Sequence, residues 1–137
     1  MTTRTPTYLE ALQQRVLIYD GAMGTSFDTF DLTAEDFGGE RTNGNRDYLA
    51  WTRPELVRGI HEAYLAAGCD VLETNTFQST RPRLEEWGLA ERTHELNVHA
   101  ARLAREAADA FQARDGRPRY VAGSIGPTGK LPSSDDP

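Results

Sequence analysis

The amino-acid sequence predicts a mixed α/β fold in which strands and helices alternate in the order β-α-β-α-β. Three observations support this prediction: short apolar runs rich in β-branched residues, apolar residues at helical spacing between them, and polar or glycine residues directly after each run. The turn from each helix into the next strand is short, which favours right-handed crossovers and therefore parallel strands. The polar groups that follow parallel strands share one edge of the sheet, where ligands of such folds bind.

The composition fits one ordinary domain and argues against several classes of function. The chain has 137 residues and a formal net charge of -6, which disfavours binding to nucleic-acid phosphates or to an anionic membrane surface. It contains neither an uncharged apolar run long enough to cross a bilayer nor the apolar core of a signal peptide. Its single cysteine excludes an internal disulfide and a multi-thiolate metal site made by this chain alone. We therefore expect a cytoplasmic protein with no nucleic-acid or membrane partner.

The first predicted strand, residues 16–19, follows a predicted helical extension over residues 1–14 and stops at a carboxylate, Asp20. Two glycines follow within four residues, so the strand delivers one acid and a tight loop to the carboxyl end of the sheet. Asp20 could bind an ammonium group. The amides of Gly21 and Ala22, in a turn that glycine permits, could bind a carboxylate. Together they would hold both ends of an α-amino acid; the alternative is an ordinary strand and glycine turn.

The first long helix is predicted between Thr52 and Gly68. Thr52 and Glu55 have the spacing of a capping box, and Gly68 stands where a left-handed residue ends a helix. The predicted apolar face consists of Leu56, Val57, Ile60, Ala63, Tyr64 and Ala67. We expect His61 to be a surface or boundary residue. The long polar segment before this helix, residues 27–50, fits a functional loop and an ordinary surface excursion equally well.

The second predicted strand covers residues 69–77. It ends in four polar residues, Glu73, Thr74, Asn75 and Thr76. Side-chain alternation puts Glu73 and Asn75 on one side and the two threonines on the other, but it leaves open which pair faces the site. Cys69 enters at the amino end, far from any chemistry at the carboxyl end, so we interpret it as a small buried core residue.

A short helix over residues 83–87 and a long helix over residues 89–113 precede a third strand, residues 119–127. The long helix has the apolar stripe Leu96, Ala100, Leu103, Ala104, Ala107 and Phe111. His94 and His99 project from different faces of this helix and cannot share a metal ion.

Small residues at the exit of the third strand, Gly123, Ser124 and Gly126, would keep a cavity open or let a ligand approach the backbone. The alternative is a strand end that glycine merely loosens. Glycine turns after successive strands and a long loop after the first are typical of the opening of a (β/α)₈ barrel. The glycines have the spacing of neither a Walker loop nor a dinucleotide fingerprint, which argues against an unrelated nucleotide-binding domain.

Several motifs, taken together, resemble one known family. They include Asp20-Gly-Ala-Met-Gly-Thr25, Gly44-Asn-Arg-Asp-Tyr-Leu49, Glu73-Thr-Asn-Thr-Phe77 and Val121-Ala-Gly-Ser-Ile-Gly-Pro-Thr128. In order and spacing they are similar to the homocysteine S-methyltransferase family, most of all to the amino-terminal, homocysteine-binding module of its cobalamin-dependent members. The resemblance extends from about Arg15 to the last residue.

The resemblance implies a zinc-dependent (β/α)₈ TIM barrel that makes methionine by methylating homocysteine. Zinc binding would lower the pKa of the homocysteine thiol so that its sulfur can attack a methyl group. In the cobalamin-dependent members the methyl group sits on methylcobalamin and comes from methyltetrahydrofolate, which other modules bind.

The resemblance also assigns roles to residues of this chain. Asp20 would hold the homocysteine ammonium group, and the amides at Gly21 and Ala22 would hold its carboxylate. Five further residues match positions at the barrel mouth and are substrate-binding candidates: Thr74, Asn75, Thr76, Gly123 and Ser124.

The sequence departs from the family in its metal ligands. The family's zinc is held by three cysteines on later strands, and Cys69 matches none of them. Residues 1–137 therefore resemble the N-terminal part of a barrel domain, with three of eight strands. We expect this part alone to be inactive and its exposed edges to need the remaining strands or other copies of the chain.

Two alternatives differ from this interpretation. One is a homocysteine methyltransferase that uses betaine or S-methylmethionine as the methyl donor. The other is a non-catalytic α/β protein that self-associates, or that binds an amino acid through the Asp20 loop without zinc.

Overall fold

A computed structural model describes residues 4–130 and shows a small parallel sheet packed against helices. The elements in chain order are α1 (Tyr8–Leu12), α2 (Met23–Phe27), α3 (Leu49–Thr52), α4 (Pro54–Ala67), β1 (Val71–Glu73), α5 (Arg81–Glu85), α6 (Thr93–Asp115) and β2 (Tyr120–Ala122). Single 3-10 turns lie at Glu40–Thr42, Arg46–Tyr48 and Ala90–Arg92. Within the described part of the chain, no helix is both long enough and apolar enough to cross a membrane.

The sheet consists of β1 and β2, which pair in parallel with Val71 opposite Tyr120. Both strands are shorter than the predicted segments 69–77 and 119–127. The chain leaves the ladder after Glu73, where the Thr76 amide donates to the Thr74 carbonyl at 2.9 Å. The predicted β-α-β crossover between these two parallel strands is thus present, with α5 and α6 as the connection.

The first predicted strand, residues 16–19, forms only one parallel bridge, between Tyr19 and Val71. The ladder begins normally, because the Val71 amide donates to the Ile18 carbonyl at 3.1 Å and the Asp20 amide to the Val71 carbonyl at 2.9 Å. The next amide, that of Glu73, donates to the Asp20 carboxylate instead of a backbone carbonyl. A side-chain acceptor therefore ends the ladder, as short polar side chains commonly do.

Only one of the four residues of this segment is buried, so it is not the interior strand that its apolar run suggests. Leu17 is buried and packs with Ala11 of α1 and with Val71, but Val16 and Ile18 are 81% and 61% exposed. Alternate residues of an extended segment face opposite sides. One side is covered by α1, and the other is open to solvent in the part of the chain that the structure describes.

Helix α4 differs from its prediction at its beginning and in one buried residue. The predicted capping box is wrong: Arg53 is the N-cap, and the Thr52 hydroxyl, in α3, donates to the Tyr48 carbonyl at 3.3 Å. The helix ends as predicted at Gly68, with φ of 108°. His61 is not a surface or boundary residue. It is fully buried, and neither ring nitrogen has a hydrogen-bond partner among the described residues.

Helix α6 starts at Thr93, after a 3-10 turn, and ends at Asp115. Its predicted stripe packs against α4 and the sheet, except at Leu96, which packs with Leu84 and Leu89. The whole stripe is buried apart from the half-buried Phe111. Cys69 is 5% exposed and packs with Leu65 and Leu72, which confirms its interpretation as a core residue. The short helix predicted over residues 83–87 is α5, shifted by two residues.

The amino end of the sheet is held by a buried carboxylate, Asp70. Both nitrogens of the Arg15 guanidinium fork donate to it at 2.8 Å, and the Ile18 amide donates at 3.0 Å. Arg117 adds a third cationic contact at 3.3 Å. These bonds, that of Arg15 above all, lower the pKa of Asp70 to about 2. The clamp fixes the first extended segment beside β1 and so determines where Asp20 emerges.

Candidate functional site

A cleft of about 1040 Å³ opens at the carboxyl ends of β1 and β2. Its walls come from the loop after Tyr19, the polar residues after each strand, and the long segment that precedes α3. Of the predicted site residues, six line the cleft: Asp20, Gly21, Ala22, Thr74, Asn75 and Ser124. Thr76 and Gly123 do not line it. Glu73 does, together with Asn75 and Thr74, because the strand ends at Glu73 and regular alternation ends with it.

Asp20 presents a half-buried carboxylate to the cleft. Its two oxygens each lie 3.1 Å from the Glu73 amide nitrogen, which donates to them. Burial raises the pKa of Asp20 to about 6; the Glu73 amide opposes this rise and the Glu73 carboxylate adds to it. None of the arginines in residues 4–130 pairs with Asp20. Above pH 6 the cleft therefore contains a partly desolvated negative charge that suits a ligand cation.

The backbone amides of Gly21 and Ala22 have no acceptor among the residues that the structure describes, and both residues are exposed. They are thus available to an anionic group beside Asp20. The predicted turn does not use a left-handed glycine, because Gly21 has no positive φ. Two backbone donors next to one carboxylate match the two charged ends of an α-amino acid.

The polar residues after β1 mainly join the strand ends to each other. The Thr76 hydroxyl donates to the Ser124 carbonyl at 2.8 Å, so the Thr74 hydroxyl donates to Thr76 at 2.6 Å. The Thr74 oxygen in turn accepts the Ser124 amide at 3.1 Å. Both hydroxyl protons are used within the chain. The side-chain amide of Asn75 donates to the Arg46 carbonyl at 3.0 Å, which joins the long segment to the residues that follow β1.

The long segment before α3 supplies cleft residues that the sequence interpretation left undecided. Asp47 accepts the Gln78 amide at 2.6 Å and the Ser79 hydroxyl at 3.0 Å, and Asn45 caps the 3-10 turn by accepting the Tyr48 amide. These bonds explain the polar run Gly44-Asn-Arg-Asp-Tyr-Leu49 physically. With the run anchored, Phe30, Leu32, Phe37 and Arg46 line the cleft. The sequence signal that could have identified these cleft residues is the polar run itself. The partners of Asp47, Gln78 and Ser79, are distant in sequence.

The described residues do not fit a zinc site. Within residues 4–130, no group of three or more histidine, cysteine, aspartate or glutamate side chains is placed to hold a metal ion. Burial, together with the charge of Asp20, raises the pKa of the Cys69 thiol to about 11. A protonated, buried thiol at the amino end of β1 is a poor metal ligand.

Known proteins are similar to this chain in both sequence and fold. The family model for homocysteine S-methyltransferase matches residues 17–137. The chain belongs to the homocysteine S-methyltransferase family. The methionine synthase of Mycobacterium tuberculosis (strain ATCC 25618 / H37Rv) is 42% identical over 125 residues, which are 91% of this chain and 10% of that protein. The chain thus spans about a tenth of that relative's length.

Two crystal structures of the homocysteine methyltransferase MmuM from Escherichia coli have the same fold. The metallated and oxidized forms each give a TM-score of 0.71 at 29% identity. The match covers 88% and 86% of this chain, but only 42% and 40% of the MmuM chain. The family resemblance inferred from the motifs is therefore confirmed. The mixed α/β architecture of this chain is that of a part of a homocysteine methyltransferase.

Proposed function

We propose that this chain forms the amino-acid-binding part of a methyltransferase that methylates homocysteine to methionine. One observation carries the proposal: a partly buried carboxylate without an arginine partner, Asp20, lies beside the unpaired amides of Gly21 and Ala22 in the cleft. Asp20 binds the ammonium group of homocysteine, and the two amides bind its carboxylate. The thiol then extends from this fixed end toward the open part of the cleft.

The residues after the strands complete the substrate site. Thr74, Asn75 and Ser124 form its floor, and the Thr76 hydroxyl joins the two strand ends through its bond to the Ser124 carbonyl. When the ammonium and carboxylate groups are both bound, only the short side chain that carries the sulfur can still move. The entropic cost of bringing the sulfur to the methyl donor is therefore lower. The methyl donor approaches from the mouth of the cleft.

The rest of the reaction belongs to other parts of a longer protein. We propose that residues 1–137 are the first three strands of a (β/α)₈ barrel, with residues 16–19 as the first. Bound zinc would lower the pKa of the homocysteine thiol, and its ligands lie outside this chain. A methionine synthase is 42% identical to this chain, which favours methyl transfer through cobalamin and methyltetrahydrofolate bound by further modules. This chain alone therefore binds homocysteine without methylating it.

Calorimetric titration of the 137-residue chain with L-homocysteine tests the binding role. Asp20→Asn removes the charge and keeps a hydrogen-bond acceptor, so it should weaken binding by at least about tenfold. Asp109→Asn is the matched control, because Asp109 pairs with Arg105 on the exposed face of α6. Equal affinities of the wild type and Asp20→Asn would contradict the proposal.

Circular dichroism and light scattering, with and without homocysteine and zinc, separate this proposal from its alternative. Stabilisation of a monomer by homocysteine, independent of zinc, supports a half-site that the remaining strands complete. A discrete oligomer that binds homocysteine tightly without any further chain would instead favour a non-catalytic amino-acid-binding protein.

A further inference from the structure

Tyr64 connects the Asp20 loop to α4. Its hydroxyl donates to the Ala22 carbonyl at 3.0 Å, across 42 positions of sequence. The same carbonyl accepts the Ser26 hydroxyl at 2.9 Å, but Ser26 belongs to α2, which continues directly from the loop. Of these two bonds, only that of Tyr64 fastens the loop to a separate element. The Tyr64 ring packs against both large core clusters, so its position is well supported.

The Tyr64 ring also explains the glycine at position 21. A Cβ atom at Gly21 would lie 2.9 Å from the Tyr64 hydroxyl oxygen and 3.1 Å and 3.2 Å from two of its ring carbons. Gly21 is thus required for space rather than for an unusual φ. The loop passes directly over the phenol, in contact with the ring at Gly21 and bonded to its hydroxyl at Ala22.

We propose that Tyr64 is a positioning residue that holds the Gly21 and Ala22 amides toward the cleft for the carboxylate of the amino-acid ligand. The bond to the Ala22 carbonyl fixes one planar peptide unit, and the ring of the same tyrosine lies against Gly21 on the other side of Ala22. The two peptide units between these contacts, which carry the Gly21 and Ala22 amides, therefore have little freedom to rotate. Asp20 does not depend on this bond, because the Glu73 amide orients its carboxylate. Tyr64 therefore acts on recognition of the carboxylate and not on recognition of the ammonium group. This inference rests on the proposed function.

The test compares two ligands and three variants of the 137-residue chain. L-homocysteine carries both charged groups, whereas 3-aminopropane-1-thiol lacks the carboxylate. Tyr64→Phe keeps the ring and removes the bond to Ala22. Tyr120→Phe is the matched control, because the Tyr120 hydroxyl also donates to a backbone carbonyl at 3.0 Å, that of Pro6, at the amino end of the sheet.

Tyr64→Phe should weaken homocysteine binding about threefold to tenfold, the effect of one lost hydrogen bond, and leave the affinity for the amine unchanged. Tyr120→Phe should leave both affinities unchanged. Gly21→Ala, whose methyl group displaces the phenol, should give the same selective loss as Tyr64→Phe.

Three results would overturn the inference in different ways. Equal weakening of both ligands by Tyr64→Phe would mean that the tyrosine only stabilises the fold. Unchanged affinities would mean that Ser26 alone holds the loop. A wild-type chain that binds neither ligand would refute the proposed function itself, which the other two results leave intact.

Discussion

Replacing Asp20 by asparagine should stabilise the ligand-free protein while it weakens homocysteine binding. The carboxylate is half buried with no arginine partner, and burial raises its pKa to about 6. Asparagine is nearly the same size and can still accept the Glu73 amide. It carries no charge to desolvate. The substitution therefore removes the energetic cost of burying this charge.

The size and sign of the effect follow from the pKa. A rise from 3.8 to about 6 would correspond to about 3 kcal/mol if the group were fully shielded, and partial exposure reduces this to about 1–2 kcal/mol. Because the folded-state pKa is raised, the contribution of Asp20 to stability is fully present below pH 3.8. It is lost as the pH rises through 6. The advantage of Asp20→Asn should be absent at about pH 3.8, grow up to pH 6 and then stay constant.

Urea unfolding followed by circular dichroism, from about pH 4 to about pH 8, measures this profile. Asp109→Asn, which removes an exposed and paired carboxylate, should change stability by less than about 0.5 kcal/mol over the same range. An Asp20→Asn protein that is less stable than the wild type at pH 8, or a difference that does not vary with pH, would refute the argument.

Four further substitutions have definite expected outcomes. Gly126→Ala would place a Cβ atom 2.3 Å from the Phe77 carbonyl oxygen, so the unfolding free energy should fall by about 2–3 kcal/mol. Gly59→Ala, in an open position of α4, should raise the unfolding free energy by about 0.5–1 kcal/mol. If urea unfolding gave the same change for both alanine substitutions, the packing argument would be wrong. His61→Leu should stabilise the protein by about 2 kcal/mol more at pH 5 than at pH 7.5, because burial lowers the pKa of His61 to about 4 while the unfolded chain takes up a proton below 6.5. The same pH profile for both proteins would show that His61 is not buried as a neutral group. Asp70→Asn leaves two arginines without their partner and should cost about 2–4 kcal/mol at pH 7, with the difference disappearing as the pH falls toward 2; a cost that persists there would point to a steric cause.

The elements that the sequence predicted well are those with a strong local signal. The end of α4 at Gly68 follows from one left-handed glycine, and the buried stripe of α6 follows from six apolar positions at helical spacing. Cys69 was correctly predicted to be a buried core residue, because a small apolar side chain at the start of a strand suits the interior. The family, too, was identified from local motifs, which the comparison confirmed.

The features that were missed depend on partners distant in sequence. The first predicted strand is cut short because the Asp20 side chain takes the Glu73 amide, a competition that no local pattern reveals. Thr52 has the spacing of an N-cap, but it is the last residue of α3 and its hydroxyl donates to the Tyr48 carbonyl. His61 is polar, yet it is fully buried on α4. The cleft was predicted only on its strand side, because the other wall needs anchors such as Asp47.

Two aspartates at opposite ends of the same pair of segments show how stability and binding are separated. Asp70, at the amino end, is bonded by two arginines and one amide, and its pKa falls to about 2. Asp20, at the carboxyl end, has one amide and no arginine, and its pKa rises to about 6. The first supports the fold above pH 3.8, whereas the second weakens it increasingly as the pH rises from 3.8 to about 6. An arginine paired with Asp20 would remove this loss of stability, but it would occupy the proposed position of the ligand ammonium group. Asp70 therefore stabilises the fold at the amino end, away from the cleft, while the carboxyl end keeps an unpaired charge, as the proposed binding of an ammonium group requires.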